Sequence, residues 1–502
     1  MSLTSESRSA SAVPIKHADR FFIGGEWVSP SSASTIPVID PGTEEVYFSV
    51  AEAQAADIDR AVTAAREAFD NGPWPRLTHE ERAGYLRALG EELRSRGDDV
   101  GQVWPRESGV LAGGAKFAAV GAAASLDYYA DLAASYAWEE PRKTGRGGFG
   151  LLVREPVGVV GAIIPWNAPL PQIGMKLAPA LIAGCTVILK SSPEAPGEGY
   201  IFAEAAQAAG IPAGVINIVT ADREVSELIV RDPRVDKISF TGSTAAGRKI
   251  GAICGGRIAR FTLELGGKSA AVILDDADLG TAAQSLAAAE CILAGQVCAS
   301  LTRIVVSERR HDELVEALAA SFSQVKVGNQ FDPAAQMGPL AARRQRDRVE
   351  GYIAKGIDSG ARLATGGGRP KDLDRGWYVE PTVFGNVDNG SAIAQEEIFG
   401  PVLSVIPARD EADAVRIAND TIYGLNSAVY TQDVERAREV AGQIRAGTVG
   451  HNGFKSDANI GFGGFKQSGI GREGGIQGLQ PFLETKTVLL DGPTARYEGT
   501  NF

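Results

Sequence analysis

Between residues 157 and 265 short apolar runs alternate with helical ones, and this alternation constrains the fold more than any other feature. Strand-like runs fall at 157–165, 186–190, 215–219, 237–240 and 260–265, with helical stretches between them at 170–183, 197–207, 224–230 and 244–254. The strands are apolar at nearly every position rather than every second one. Such strands need cover on both faces, which is what helices on either side of a parallel sheet supply. Repeated strand–helix units predict a doubly wound, Rossmann-like α/β sheet. Ligands of such sheets bind outside the carboxyl ends of the strands.

A second α/β region follows. Helices are predicted at 281–293, 311–326, 341–359, 411–419 and 434–445, and strands at 301–307, 362–364, 403–407 and 428–431. Ahead of the main alternation lie strands at 21–28 and 38–47 and a helical stretch over 56–136. The 139–150 stretch is charged and Gly-rich and leads into a strand at 151–155; the chain closes with a Gly-rich loop at 461–478 and a strand at 482–490. A long exposed strand pair needs a neighbour, so this part is a candidate subunit contact. The predicted organisation is a disordered leader at 1–18, a dinucleotide-binding domain at 19–137 and 157–266, a catalytic domain at 267–467, and a small β oligomerisation element at 138–156 and 468–502.

At 502 residues the chain exceeds what one core serves. A net charge of -12 argues against a nucleic-acid or anionic-membrane partner, since a phosphate backbone needs a basic surface. The polar, Ser-rich start lacks the apolar core of a secretory signal, and no apolar run reaches the roughly 18 residues of a spanning helix. A cytoplasmic protein with reduced cysteines is expected. Cys185, Cys254, Cys291 and Cys298 show no metal-type spacing, so no metal is expected.

Two stretches match G-x-G-x-x-G, at 145–150 and 469–474, but neither sits between an apolar strand and a helix, and both read as turns. Gly266-Gly267-Lys268-Ser269 ends like a phosphate-binding loop, yet Thr262 occupies the place of the first glycine. Phe240-Thr241-Gly242-Ser243-Thr244 is better placed, closing a strand and opening a helix. Its N–H groups can meet an anion, or Ser243 or Thr244 can be a plain N-cap. Lys190 ends a buried-type strand and is either a ligand contact or a solvated lysine.

Chemistry concentrates in two stretches. Glu264 stands in the apolar run Phe261-Thr262-Leu263-Glu264-Leu265. A carboxylate there either faces solvent or lines a cavity with a raised pKa suited to general-base work. Cys298 follows Gly295-Gln296-Val297, where a helical run breaks before a strand, whereas Cys185 and Cys291 sit in apolar runs and read as inert packing; Cys254 is harder to assign. A thiol and a carboxylate brought together can run nucleophilic catalysis.

Six segments, in order and with family-like spacing, resemble the aldehyde dehydrogenase superfamily over residues 21–490. They are Pro165-Trp166-Asn167-Ala168-Pro169, the 240–244 motif, Leu263-Glu264-Leu265-Gly266-Gly267-Lys268, Gly295-Gln296-Val297-Cys298, Glu396-Glu397-Ile398-Phe399-Gly400-Pro401 and Gly463-Gly464-Phe465-Lys466-Gln467-Ser468-Gly469. The resemblance implies an NAD(P)-dependent oxidation of an aldehyde to a carboxylic acid. Cys298 would be the nucleophile, Asn167 and the Cys298 N–H the oxyanion donors, and Glu264 the activator of water. It also implies a cofactor cleft of Ile164, Trp166, Lys190, Gly242, Ser243, Leu265, Glu397 and Phe399. Ala168, Gln172, Met175, Val297, His451 and Phe454 would line the substrate side, with room for a medium or bulky apolar aldehyde. The implied assembly is a homodimer or homotetramer.

Pro193 occupies the place of the family's ribose-binding glutamate, and Glu194 comes one position later. NAD is expected, because no arginine lies nearby in sequence to meet a 2′-phosphate; the displacement keeps NADP admissible. His451 is an unusual residue for its segment and either tunes substrate choice or is a plain loop histidine. A CoA-acylating semialdehyde dehydrogenase would dispense with Glu264. A non-catalytic scaffold or a cofactor-independent thiol esterase would leave Asn167 or the cofactor motifs without purpose.

Overall fold

The computed structural model describes residues 13–145 and 148–499. Its largest sheet has eight strands in the spatial order Gly469–Ile470, Arg260–Glu264, Lys237–Thr241, Val159–Ile163, Thr186–Ser191, Ile216–Thr220, Phe21–Ile23, Glu26–Val28. The five central strands are parallel, and the outer ones pair antiparallel. Strand direction alternates side chains between faces, and both faces are apolar. Val160, Ala162, Val187 and Leu189 pack into one core with the helices His79–Ser95, Phe117–Ser135, Pro169–Ala183 and Gly197–Ala208. Val159, Ile163, Ile188, Ile238 and Phe240 pack into another with Ala55–Asp70, Arg223–Arg231 and Thr244–Arg257. Chain order reverses between the 159–163 and 237–241 strands, which creates a crevice at their carboxyl ends.

A second, seven-stranded sheet runs Arg362–Thr365, Thr382–Gly385, Val402–Ala408, Arg303–Ser307, Ala270–Ile273, Asn426–Tyr430, Thr448–His451. All neighbours are parallel except the first pair. Three of its members, Ala270–Ile273, Thr382–Gly385 and Thr448–His451, were not expected from sequence: four-residue strands are too short to show a period. A third sheet of three antiparallel strands joins Leu483–Leu490, Phe149–Pro156 and Glu139–Lys143.

Two local expectations change. Of the leader expected at 1–18, residues 1–12 lie outside the described residues, but 13–18 are packed. The Lys16 N–H donates to Glu204 Oε1 at 2.7 Å, and Arg96 Nη2 donates to the Pro14 carbonyl at 3.0 Å. The 468–502 segment was assigned to the small β element, yet Gly469–Ile470 first pairs with Leu263 and Glu264 in the large sheet. Of the two G-x-G-x-x-G stretches, the one at 145–150 falls partly outside the described residues. In the one at 469–474, all three glycines have positive φ, Gly469 ends up in the short edge strand just described, and Gly471 and Gly474 follow it. Among the described residues no helix is long and apolar enough to cross a membrane.

Candidate active site

Glu264 ends its strand at the carboxyl edge of the large sheet, paired in register with Thr241. Only 3% of it is exposed, and both carboxylate oxygens lack a hydrogen-bond partner. The solvent-facing alternative is therefore excluded. Burial, with help from the charge of Glu473, pushes its pKa well above the ordinary glutamate value; Lys176 and Arg472 pull the other way. Gly463 lies against it with φ +155, and a Cβ there would stand 2.6 Å from Glu264 Oε1.

Cys298 arrives by a turn that needs glycine. Leu293, Ala294 and Gly295 all have left-handed backbone, with φ of 51°, 52° and 71°. A Cβ on Gly295 would lie 2.4 Å from the Gly400 carbonyl carbon. A Cβ on Gly267 would lie 2.4 Å from the Cys298 carbonyl oxygen, so the Glu264-to-Lys268 segment and the Cys298 turn are in close contact. Gln296 fixes the turn by donating to the Leu293 carbonyl at 2.8 Å and accepting the Ala341 N–H at 3.0 Å. Burial, Glu397 and Glu264 raise the Cys298 thiol to about 12, against the pull of the Cys298 and Ala299 N–H groups. Cys185 and Cys291 are buried and pushed to about 12 by burial; Cys254 is buried and raised too. Proton affinity does not single out Cys298; its half-buried position at the cleft does.

Asn167 lies in the 164–168 segment after the Val159–Ile163 strand, and its Nδ2 donates to the Gln296 carbonyl at 2.9 Å. The amide is therefore aimed at the Cys298 turn. Trp166 meets Phe399 edge-on, with ring centroids 5.4 Å apart. Phe399 holds a left-handed φ of 63°, and its carbonyl accepts from Gln345 Nε2 at 2.5 Å. Glu397 Oε1 accepts the Gly267 N–H at 3.1 Å. Burial raises that carboxyl to about 7, against Gly267, Arg348 and Lys268.

At the switch-point crevice Ser243 caps the Thr244–Arg257 helix by accepting the Ala246 N–H at 3.3 Å. Lys190 is buried, and its pKa falls to about 8 because burial outweighs Glu194 and Asp222. The solvated-lysine alternative is excluded. Ile164 and Leu265 are buried at the neighbouring strand ends. Glu194 hydrogen-bonds Ser192 and forms an ion pair with Arg344 Nη2 at 2.5 Å. No arginine lies near Glu194 in sequence, as expected, but one does in space. Arg344 is 150 positions later in sequence, on the Arg343–Asp358 helix, and only folding brings it here. Burial favours the neutral acid at Glu194, but Arg344 and Ser192 outweigh it and hold the carboxyl below its usual range.

Of the residues expected on the substrate side, Ala168, Gln172 and Met175 recur at helical spacing at the start of Pro169–Ala183 and are half-buried, as is Val297. Gln172 Oε1 accepts from Thr241 Oγ1 at 3.0 Å, which places it towards Glu264's strand. His451 does not join the site, whereas Phe454 is half-buried. Cys298 lies beside Gly267, at the amino ends of the second sheet's strands. His451 closes the Thr448–His451 strand at the carboxyl end, with Nε2 3.0 Å from the Thr431 carbonyl. Phe454 packs against the core of that sheet. The parallel direction of that strand, invisible in sequence, sends His451 to the far edge.

Two residues that sequence reasoning did not select stand beside Glu264. Lys176 is 1% exposed, pairs with Glu473, and donates to Thr241 Oγ1 at 2.7 Å. One signal was present: Lys176 interrupts the apolar run Ile173-Gly174-Met175-Lys176-Leu177-Ala178. Glu473 gave none within its Gly-rich surroundings. Among the described residues no group of three or more His, Cys, Asp or Glu could hold a metal.

The two sheets, joined through the 265–269 segment, define an α/β enzyme, with a crevice suited to a dinucleotide opening onto a thiol and a buried carboxylate. The sequence model described as the aldehyde dehydrogenase family matches residues 27–488, and the chain belongs to that family. It is an oxidoreductase acting on aldehydes. Geranial dehydrogenase of Castellaniella defragrans is 44% identical over 472 residues, covering 94% of this chain and 98% of that protein. A 3-succinoylsemialdehyde-pyridine dehydrogenase of a Pseudomonas species is 41% identical, covering 93% and 98%. The crystal structure of a Mycobacterium tuberculosis aldehyde dehydrogenase complexed with NAD+ is 45% identical with a TM-score of 0.93, covering 95% of this chain and 99% of that one. A mutant aldehyde dehydrogenase of Pseudomonas syringae, complexed with NAD+ and octanal, is 39% identical with a TM-score of 0.92, covering 96% and 99%.

Proposed function

We propose that this chain oxidises an apolar aldehyde to the free carboxylic acid with NAD+, through a thioester on Cys298. The observation that carries the reading is the convergence of Cys298, the Asn167 amide and an unpartnered, buried Glu264 on one cleft. The donor set fits a dinucleotide: a buried lysine and a helix N-terminus at one end, a carboxylate at the other. Lys190 and Glu194 would meet the adenosine ribose, Gly242 and Ser243 the pyrophosphate, and Glu397 the nicotinamide ribose. Ile164, Trp166, Leu265 and Phe399 would wall the cleft. The chemistry NAD+ supplies when bound is acceptance of a hydride, which turns the Cys298 adduct into a thioester.

The remaining work falls to the chain itself. Glu264, made basic by burial, takes the Cys298 proton, and the thiolate adds to the carbonyl carbon. The Asn167 amide and the Cys298 N–H hold the resulting oxyanion. Glu264 then removes a proton from the water that hydrolyses the thioester, and the Lys176–Glu473 pair provides an onward route for that proton. The relatives named for geranial and crystallised with octanal support an apolar aldehyde, as do Ala168, Met175 and Val297 at the start of the substrate side. The presence of Glu264 favours water over CoA as acyl acceptor. A homo-oligomer built on the three-stranded sheet and a cytoplasmic setting complete the reading.

The test is formation of NADH and NADPH over an aldehyde panel that includes octanal and geranial, with and without CoA, for wild type and Cys298→Ala. Turnover should vanish in the variant and be independent of CoA. Undiminished turnover of Cys298→Ala removes the mechanism.

A further inference from the structure

Glu107 and Glu198 form a buried carboxylate pair that the proposed chemistry does not use. They come from separate helices, Gly97–Ser108 and Gly197–Ala208, and are 1% and 0% exposed. Glu107 Oε1 accepts the Gly197 N–H at 2.8 Å, and Glu198 Oε2 accepts the Leu170 N–H. Each keeps one oxygen without a partner, Glu107 Oε2 and Glu198 Oε1. Neither is among the ion pairs of the described residues. Burial raises both carboxyls, Glu198 to about 8, and the charge of Glu198 raises Glu107 further. A pair so placed persists by holding protons rather than charges.

The pair sits at the root of the oxyanion donor. Leu170 is the second residue of the Pro169–Ala183 helix, whose N-cap, Ala168, has no side chain able to cap it. Glu198 supplies that missing acceptor from another helix. Asn167 stands immediately before this cap. One turn ahead of Glu107 on its own helix, Trp104 donates its Nε1–H to the Asn167 carbonyl at 3.2 Å. The main chain around Asn167 is thus fastened on both sides, by Trp104 at its carbonyl and by Glu198 at the helix that follows.

We propose that Glu198, seated on Glu107, is a positioning residue for aldehyde oxidation: by capping the helix at Leu170 it fixes the Asn167 amide where the oxyanion forms. The inference rests on the oxyanion role proposed for Asn167. Misplacement of a catalytic group by about 1 Å costs on the order of 100-fold in rate.

The experiment is steady-state kinetics of the full chain on octanal with NAD+, together with NAD+ dissociation constants from fluorescence titration and thermal melting. Glu198→Leu should lower kcat about 10- to 100-fold, with KM for octanal and NAD+ binding within about twofold. Glu198→Gln, whose amide oxygen still accepts from Leu170, should restore kcat to within about threefold of wild type. Added to Asn167→Ala, Glu198→Leu should cause no further loss. Wild-type kcat in folded Glu198→Leu overturns the inference, as does a Glu198→Gln enzyme as slow as Glu198→Leu, or additive losses in the double variant. If Glu198→Leu does not fold, Trp104→Phe carries the same test: a selective loss of kcat supports the inference and wild-type kcat overturns it. Full activity of Asn167→Ala removes the oxyanion role and this inference with it. Loss in Asn167→Ala without loss in Glu198→Leu removes the inference alone.

Discussion

Glu264 and Cys298 illustrate how far single residues carry their own meaning. A glutamate inside Phe261-Thr262-Leu263-Glu264-Leu265 announces itself, because an unpaired charge in an apolar strand is costly. What surrounds it does not. Glu473 lies 209 positions away, yet its charge is the second cause of the raised Glu264 pKa. Glu264 works as a base only when ionised, so kcat limited by thioester hydrolysis should fall as pH drops through its raised pKa. Removing the negative charge in Glu473→Gln lowers that pKa and should move the acid limb of the pH–kcat profile to lower pH; an unmoved or upward-shifted limb contradicts the coupling. Glu264→Gln should slow both the NADH burst, which needs the Cys298 proton removed, and the deacylation step, each by about 10²- to 10⁴-fold, which stopped-flow measurement resolves. At the other end of the cleft, the Arg344 guanidinium is neutralised by Glu194. Glu194→Ala frees it to meet a 2′-phosphate and should raise affinity for NADP+ relative to NAD+, measured by calorimetry. An unchanged ratio would leave Arg344 with a purely structural role.

At the scale of elements, the strands and helices of the large sheet follow directly from their apolar runs, and most predicted bounds fall within a few residues of those observed. The elements that escaped are the short ones. Ala270–Ile273 and Thr448–His451 have four residues each, and each takes its strand identity from neighbours it pairs with rather than from its own pattern. The 281–293 helix was expected to run unbroken to the catalytic turn. It ends at Cys291 and gives way to the left-handed residues that present Cys298. Gly295 is the hinge of that presentation. Gly295→Ala would add both a left-handed strain of about 1–2 kcal/mol and a contact with the Gly400 backbone. We expect a loss of at least about 2 kcal/mol in denaturant unfolding, with kcat reduced because the thiol is displaced. A variant as stable and as active as wild type would show that the turn tolerates a side chain.

For the whole molecule, the three-stranded sheet is the part least satisfied within one chain. Leu483–Leu490 is an outer strand carrying Leu489 at 70% exposure, while the opposite outer strand, Glu139–Lys143, is charged and contains Pro141. Charge and proline protect an edge strand from further pairing; an exposed leucine does not. The two edges therefore differ in what they invite, and the Leu483–Leu490 side is the one we propose for a second copy. Leu489→Asp should lower the assembly mass measured by light scattering at micromolar concentration, with the far-UV spectrum unchanged. An unaltered mass would place the contact elsewhere. Glu198→Leu, by contrast, should leave that mass untouched, since it acts inside one subunit.

The sequence by itself determined the fold class, the doubly wound sheet and which thiol and carboxylate are proposed to react. Those depend on local patterns: apolar runs that need two covered faces, a charge in a place that resists it, and motifs whose order the chain preserves. Only the tertiary structure decided what each charge faces. It paired Lys176 with Glu473 beside Glu264, set Arg344 against Glu194, seated Glu198 beneath Leu170, and carried His451 to the far edge of its sheet. The physical reason is that burial and Coulomb interaction act through space over a few ångströms, between residues that the chain separates by tens to hundreds of positions.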